Sequence, residues 1–266
     1  MRSFVIAMLG LVAAVCPAPA QGVSPDVLKD LAPAGKLRAA INFGNGVLAQ
    51  RGPNGEPRGI SADLSVELAK RLGVPVEFVL REAAGKVFEA LAANIVDVGF
   101  IAIEPKRAAE VSFTGPYAII DGTYMVRKDS PLKDVEDVDK PGIRIGVGLD
   151  SVYDLYLTRT LKQATLVRHK VGGAAAGIVP FVEQNLEVAA GVRQPLDWYV
   201  KDHPEMRVMK GAFQQIRQAM GTPKGRGSAG AQYLAAFVED VKKSGFVAEG
   251  LRRSGQDPTQ VAPAGW

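Results

Sequence analysis

Arg107, three residues after Glu104 and two after Pro105, is the side chain in this sequence best suited to a defined chemical task. It is a permanent cation carrying a planar fork of donors, the geometry that grips a carboxylate. Glu104 stands where an N-cap would stand, and Pro105 at a first helical position, where its missing N–H is no loss. The spacing predicts a helix beginning at Pro105 with Arg107 in its first turn, where free backbone N–H groups and the guanidinium together would seat an anion. The competing reading is a solvated arginine on a surface helix. A second helix start is predicted at Gly148 to Ser151, with Ser151 as cap. There Asp150 is either an exposed turn aspartate or a partner for a cationic group. Glu104 and Asp150 are the only acid or base candidates near these positions, and neither has an evident partner. The chain has no G-x-S-x-G, no H-E-x-x-H and no phosphate loop. His169 and His203 lack metal-site spacing and read as surface or loop residues.

Positioning Arg107 falls to the apolar run Ile95 to Ile103, a strand covered on both faces as in a parallel sheet. Before it, Lys36 to Phe43 alternates into a first strand, and Gly44 to Gly59, with Asn45 and Gln50, forms a long polar loop of the kind that carries function. A helix capped by Ser61 repeats Leu64, Leu68 and Leu72 and stops at Gly73. Val76 to Leu80 is a strand, and Val87, Phe88 and Leu91 mark a third periodic segment. Strand and helix alternate, which means a parallel sheet with helices on both faces. Gly122 to Lys128 reads as a crossing strand, Ile143 to Val147 opens a second strand-helix series with a helix at Ala174 to Asn185 and a strand at Leu186 to Ala190, and Phe213 to Met220 returns. Amphipathic helices follow at Ala229 to Lys243 and Val247 to Arg253. Gly255 to Trp266 is Pro- and Gly-rich without periodicity and is expected to be mobile.

The chain has 266 residues, 47% of them hydrophobic, enough for one large or two modest cores. Arg2, the apolar run Phe4 to Val15 and the A-x-A pattern ending at Ala20 read as a secretory signal peptide over residues 1–20. Cys16, the only cysteine, lies before the cut, so the mature chain has no thiol for a disulfide or metal. A net charge of +4 without a basic block argues against nucleic acid.

Three stretches, KLRAAINF, NGEPRGISADLSVELAKRLGVPVEFV and KVFEALAANIVDVGFIAIEPKRAAEVSFTGPY, resemble the extracellular solute-binding proteins of family 3, the amino-acid-binding components of ABC importers. The likeness runs from about Lys36 to Arg253. It implies an α/β protein of two doubly wound lobes joined by two crossing strands, the type II periplasmic binding protein fold, closing on a small ligand. The expected division is lobe 1 at 24–126 plus 217–254, lobe 2 at 127–216, and a mobile tail at 255–266. Arg107 matches the residue that in the family holds a ligand carboxylate. The family's hydroxyl-bearing positions before it fall here on Phe100, Ala102 and Glu104, a departure that weakens the usual clamp for an α-amino acid.

The family also commonly places an aspartate after the strand that ends here near Ala190, where it grips an ammonium; this sequence has Arg193 and Gln194. If Arg193 faces the cleft, two guanidiniums favour an anionic ligand such as a dicarboxylate; if it points to solvent, that inference falls. The expected ligand contacts are Arg107, Ala102, Asn42, Asp150, Ser151, Arg193 and Tyr117, with no catalytic residue, metal or cofactor. The expected function is periplasmic capture of a small carboxylate-bearing solute, an amino acid or related organic acid, by a monomer that delivers it to an inner-membrane ABC permease. The alternatives are a secreted lyase- or dehydratase-like enzyme on the same scaffold and a ligand-sensing protein.

Overall fold

The computed structural model describes residues 22–170, 172, 173 and 175–266, and the signal peptide expected over residues 1–20 lies outside them. The chain builds one pattern twice. After helix α1 (Pro25–Leu31), capped by Ser24, come β1 (Leu37–Asn42), the small ribbon β2 (Gln50–Arg51) and β3 (Pro57–Arg58), α2 (Ile60–Leu72), β4 (Val76–Arg81), α3 (Ala84–Ala92) and β5 (Val98–Ala102). Strand β1 lies between β4 and β5 and parallel to both. The long strand β6 (Val111–Arg127) leaves this unit. The pattern then recurs as β7 (Arg144–Gly148), α4 (Val152–Thr160), β8 (Thr165–His169), α5 (Ile178–Glu183) and β9 (Val188–Val192), with β7 between β8 and β9 and parallel to both. Helix α6 (Arg193–Asp202), β10 (Met206–Val208), the return strand β11 (Gln214–Pro223), α7 (Ser228–Lys243) and α8 (Phe246–Arg253) complete the chain. Strands β11 and β6 pair antiparallel and join the halves, giving the sheet order β4-β1-β5-β11-β6-β9-β7-β8. This is the expected architecture of two doubly wound α/β lobes linked by two crossing strands.

Burial explains why these segments take these places. All five residues of β5 are buried. Val98, Phe100 and Ala102 enter one core, while Ile101 meets Val87 and Leu91 of α3 in another, as period-two alternation requires of a doubly covered strand. Fully burying a side chain such as Leu91 contributes about 1.5–3 kcal/mol. Helix α3 sits so close that a Cβ on Gly99 would come 2.8 Å from Val87 and 2.9 Å from Leu91, so Gly99→Val would force the layer apart. Both units share an electrostatic clasp. Arg38, at the start of β1, grips the buried Asp97 that precedes β5 at 2.7 Å; Arg144, at the start of β7, grips Glu187 before β9 at 2.8 Å.

Three local expectations are corrected. Helix α2 is capped by Gly59, not Ser61. Gly59 has φ 95, and a Cβ there would lie 2.8 Å from the Leu48 oxygen, so the chain enters by a path that only glycine follows easily. The helix expected at Pro105 is a single 3-10 turn, Arg107–Ala109, because β6 begins at Val111. Gly255 to Trp266 is docked where a mobile end is expected. Val261 bridges to Ala118, Ala262 N–H donates to Tyr117, and the Pro263 carbonyl accepts from the buried Lys242 ammonium at 2.9 Å.

Candidate functional site

In a parallel sheet, the crevice outside the carboxyl ends of the strands collects loops and helix starts whose backbone groups are unpaired. Here the two units turn those ends toward each other. A cavity of about 60 Å³ is walled by Asn42, Ala102, Gly148 and Val192, the last residues of β1, β5, β7 and β9, and by Ala83, Ala84, Gly172 and Gly173 just beyond β4 and β8. The rims touch: a Cβ on Gly172 would lie 2.2 Å from that of Ala83. On the same side, Trp198 of α6 lies over Gly46, 3.7 Å from where a Cβ would stand.

Arg107 lies on this wall, 2% exposed. It donates from Nη1 to the Ala102 carbonyl at 3.1 Å and from Nη2 to the Asp150 carbonyl at 2.9 Å, and it forms no ion pair among the described residues. Burial lowers its pKa from 12.5 to about 10, against the opposing pull of the Glu104 and Asp150 carboxylates, so it remains a cation at neutral pH. A buried charge held only by backbone dipoles is expensive, and an anion arriving in the cavity would relieve that cost.

Of the seven expected contacts, Arg107, Ala102, Asn42 and Ser151 are brought together at the cavity. Asn42, at the end of β1, accepts from Gly44 N–H at 3.0 Å. Ser151 caps α4, its Oγ accepting from Asp154 N–H at 3.0 Å, while it also lines the wall, so capping and access to the cavity coexist. Asp150 enters only through its backbone. Held at φ 56, it turns its carboxylate outward to within 4.0 Å of the Lys106 ammonium, half-exposed. Arg193 lies outside: it donates to the carbonyls of Met209 and Gly211 and its Nε is 3.6 Å from Asp121, so the cavity holds a single guanidinium. Tyr117 is a core residue at 0% exposure, edge-on to Phe100 at 6.1 Å, with its pKa raised by burial. Glu104 is also committed elsewhere. Its carboxylate accepts from Lys106 N–H at 2.7 Å and pairs with Arg159 of α4.

Sequence reasoning named Asn45 only as part of a functional loop and missed Tyr153 and Gln218 as wall residues. Asn45 presents a buried amide oxygen with no hydrogen-bond partner. Burial pushes the Tyr153 phenol up to about 12, with the Ser151 hydroxyl pulling the other way, so it is neutral at physiological pH. Gln218 is buried on β11 just before Ala219 and Met220, and a glutamine entering so apolar a run was the available signal. Among the described wall residues only Arg107 is ionised at neutral pH.

Known proteins resemble this chain both in sequence and in shape. Over 86 residues the chain is 34% identical to the octopine-binding periplasmic protein of Rhizobium meliloti, a match spanning 32% of this chain and only 29% of that protein. The cysteine-binding protein from Campylobacter jejuni superposes with a TM-score of 0.74 at 20% identity, covering 90% of this chain and all of the other. An ancestral amino acid-binding protein, a precursor of cyclohexadienyl dehydratase, superposes with a TM-score of 0.71 at 22% identity, covering 86% and 98% of the two chains. At such identities the likeness is one of fold. The sequence model of the bacterial extracellular solute-binding proteins, family 3, matches residues 48–253, from the loop before α2 to the end of α8; with Arg107 and most of the cavity wall inside that span, the chain belongs to this family.

Proposed function

We propose that this protein is a periplasmic binding protein that captures a small carboxylate-bearing solute between two lobes, 24–126 with 217–254 and 127–216, and delivers it to an inner-membrane ABC permease. It acts as a monomer released from its signal peptide near Ala20. The observation that carries this reading is Arg107: a buried, unpaired guanidinium on the wall of a cavity between strand ends of both units. Closure of two such lobes over a ligand requires only a few residues of the crossing strands to change backbone angles.

The competing enzyme reading draws on the fold neighbour that is a precursor of cyclohexadienyl dehydratase. General acid or base catalysis needs a titrating group within reach of the substrate. The described wall residues include no carboxylate, histidine, lysine or cysteine, which favours capture over conversion. A thermal-shift screen of the chain from Gln21 onward, against amino acids, mono- and dicarboxylates and polyamines, tests the proposal. Stabilisation by a carboxylate that is recovered unchanged supports it; stabilisation by polyamines alone, or turnover of the bound acid, sinks it.

A further inference from the structure

We infer that Asp154 is a positioning residue for capture: without touching the solute, it holds the Asp150 carbonyl in the direction from which that carbonyl meets Arg107. This rests on the proposed capture of a carboxylate at Arg107.

The carbonyl belongs to a residue in an unfavourable conformation. Asp150 has φ 56, in the left-handed region where Cβ crowds the following carbonyl oxygen. Asp150 is also a point at which the second unit touches the first. Its carbonyl accepts from Arg107 Nη2 at 2.9 Å, and its Cβ lies 3.0 Å from where a Cβ on Gly85, in the first turn of α3, would stand. Left to itself, a residue at this φ relaxes to a negative angle, and its carbonyl swings with it.

The group that holds it is the Asp154 carboxylate, whose Oδ2 accepts from Asp150 N–H at 2.9 Å. This bond departs from a capping box, in which the residue three past the cap reaches back to the cap's own N–H. Ser151 N–H already donates to the Gly148 carbonyl at 3.1 Å, so the carboxylate passes the cap and takes the strained residue before it.

Asp154 is itself fixed. It is 3% exposed, and its Oδ1 accepts from Nε of Arg168, on β8, at 2.9 Å. Thr158 Oγ1 braces the pair, accepting from Arg168 Nη2 at 2.8 Å and donating to the Asp154 carbonyl at 2.7 Å. A chain of contacts thus runs from Arg168 through Asp154 and the Asp150 backbone to Arg107. Asp154 and Arg168 are not among the described wall residues, so changing them alters how Arg107 is held and not what the solute meets. The fork of Arg107 is set by one carbonyl from each unit, Ala102 and Asp150. If the second drifts, the ordering of the guanidinium must be supplied at binding, and affinity falls.

Titration calorimetry with acetate, lactate, succinate, alanine, glutamate and arginine identifies the tightest carboxylate probe, which is then carried through the variants. Asp154→Ala is expected to weaken it about tenfold, the worth of one hydrogen bond to a charged group. Glycine adopts positive φ without steric cost, so with Asp150→Gly already in place, adding Asp154→Ala is expected to cost about threefold or less. Glu187→Gln loosens the clasp of the same unit away from Asp150; it is expected to lower the melting temperature and leave affinity unchanged. Should Asp154→Ala fail to fold, Asp154→Asn and Arg168→Gln weaken the same chain more gently, and their smaller losses should likewise shrink with Asp150→Gly. Equal losses with either residue at position 150, no loss at all, or loss of binding from Asp150→Gly alone overturns the inference; if Arg107→Gln still abolishes binding, the carboxylate reading survives. If none of the probes binds the wild-type protein, or binding is indifferent to Arg107→Gln, the carboxylate reading itself is wrong and the inference falls with it.

Discussion

The Nη2 atom of Arg107 lies 2.9 Å from the backbone oxygen of Asp150, so a guanidinium anchored beside one strand unit is met by the loop that opens the first helix of the other. The contact orients the fork without cancelling its charge. Replacing Arg107 with glutamine keeps one donor for these carbonyls and removes the cation. Because a buried unpaired charge contributes little net stability, the ligand-free variant is expected to melt within a few degrees of wild type. The stabilisation of about 2.7 kcal/mol that a ligand gives at a hundred times its dissociation constant should disappear. Thermal denaturation with and without the best acid from the screen measures both.

Arg107 also fixes the pH dependence of capture. Its folded pKa is lowered to about 10, below its ordinary 12.5, so between those values the unfolded chain holds the proton more firmly and stability from this group rises with pH. Below about 10 the cation is fully present and ready for an anion. Carboxylic acids of this kind ionise near pH 4, so affinity should be flat from about pH 6 to about pH 9 and weaken on either side. A step near neutral pH in the titration series would instead indicate a histidine at the site.

Glu104 and Arg159 form a second link across the cleft, with the carboxylate 1% exposed and the guanidinium side chain 45% exposed. Arg159→Ala leaves a buried anion with only the Lys106 N–H. Since Arg159 is half in solvent, the loss should be about 1–2 kcal/mol, below that for a fully enclosed pair. Stopped-flow measurements should register it as faster ligand release with little change in the association rate.

Removing Gly255 to Trp266 is expected to destabilise the protein by about 1–3 kcal/mol. The buried Lys242 ammonium would lose the Pro263 carbonyl and keep Glu239 and the Pro116 carbonyl, and the backbone at Tyr117 and Ala118 would lose its pairing with the tail. A melting temperature unchanged by this truncation would mean that the docked end carries no stability.

Much of the scaffold was legible because its signals are local. The unbroken run of β5 and the leucines of α2 at helical spacing each declare themselves within a few residues. Strand β8 was missed because Thr165 to His169 is short and partly solvated, with no apolar run to mark it. Helix α6 was missed because Pro195 near its start reads as a loop. That omission mattered, since the direction of Arg193 depends on the phase of the helix it begins. The cavity was legible at Arg107, Ala102, Asn42 and Ser151 and no further. Its wall is assembled from six strand ends scattered from Asn42 to Val192, and no local pattern announces that Asn45 and Gln218 will face the same space.

The ladder between β6 and β11 slips twice, between Gln218 and Ala219 and again between Ala219 and Gly221. Such irregularities bend a strand and weaken its pairing locally. Gln218 stands at the first slip and also on the cavity wall. An irregular step of the connecting ribbon thus borders the cavity, so a solute that engages Gln218 would stiffen the joint between the lobes directly, and slowed amide exchange along β11 would accompany loading.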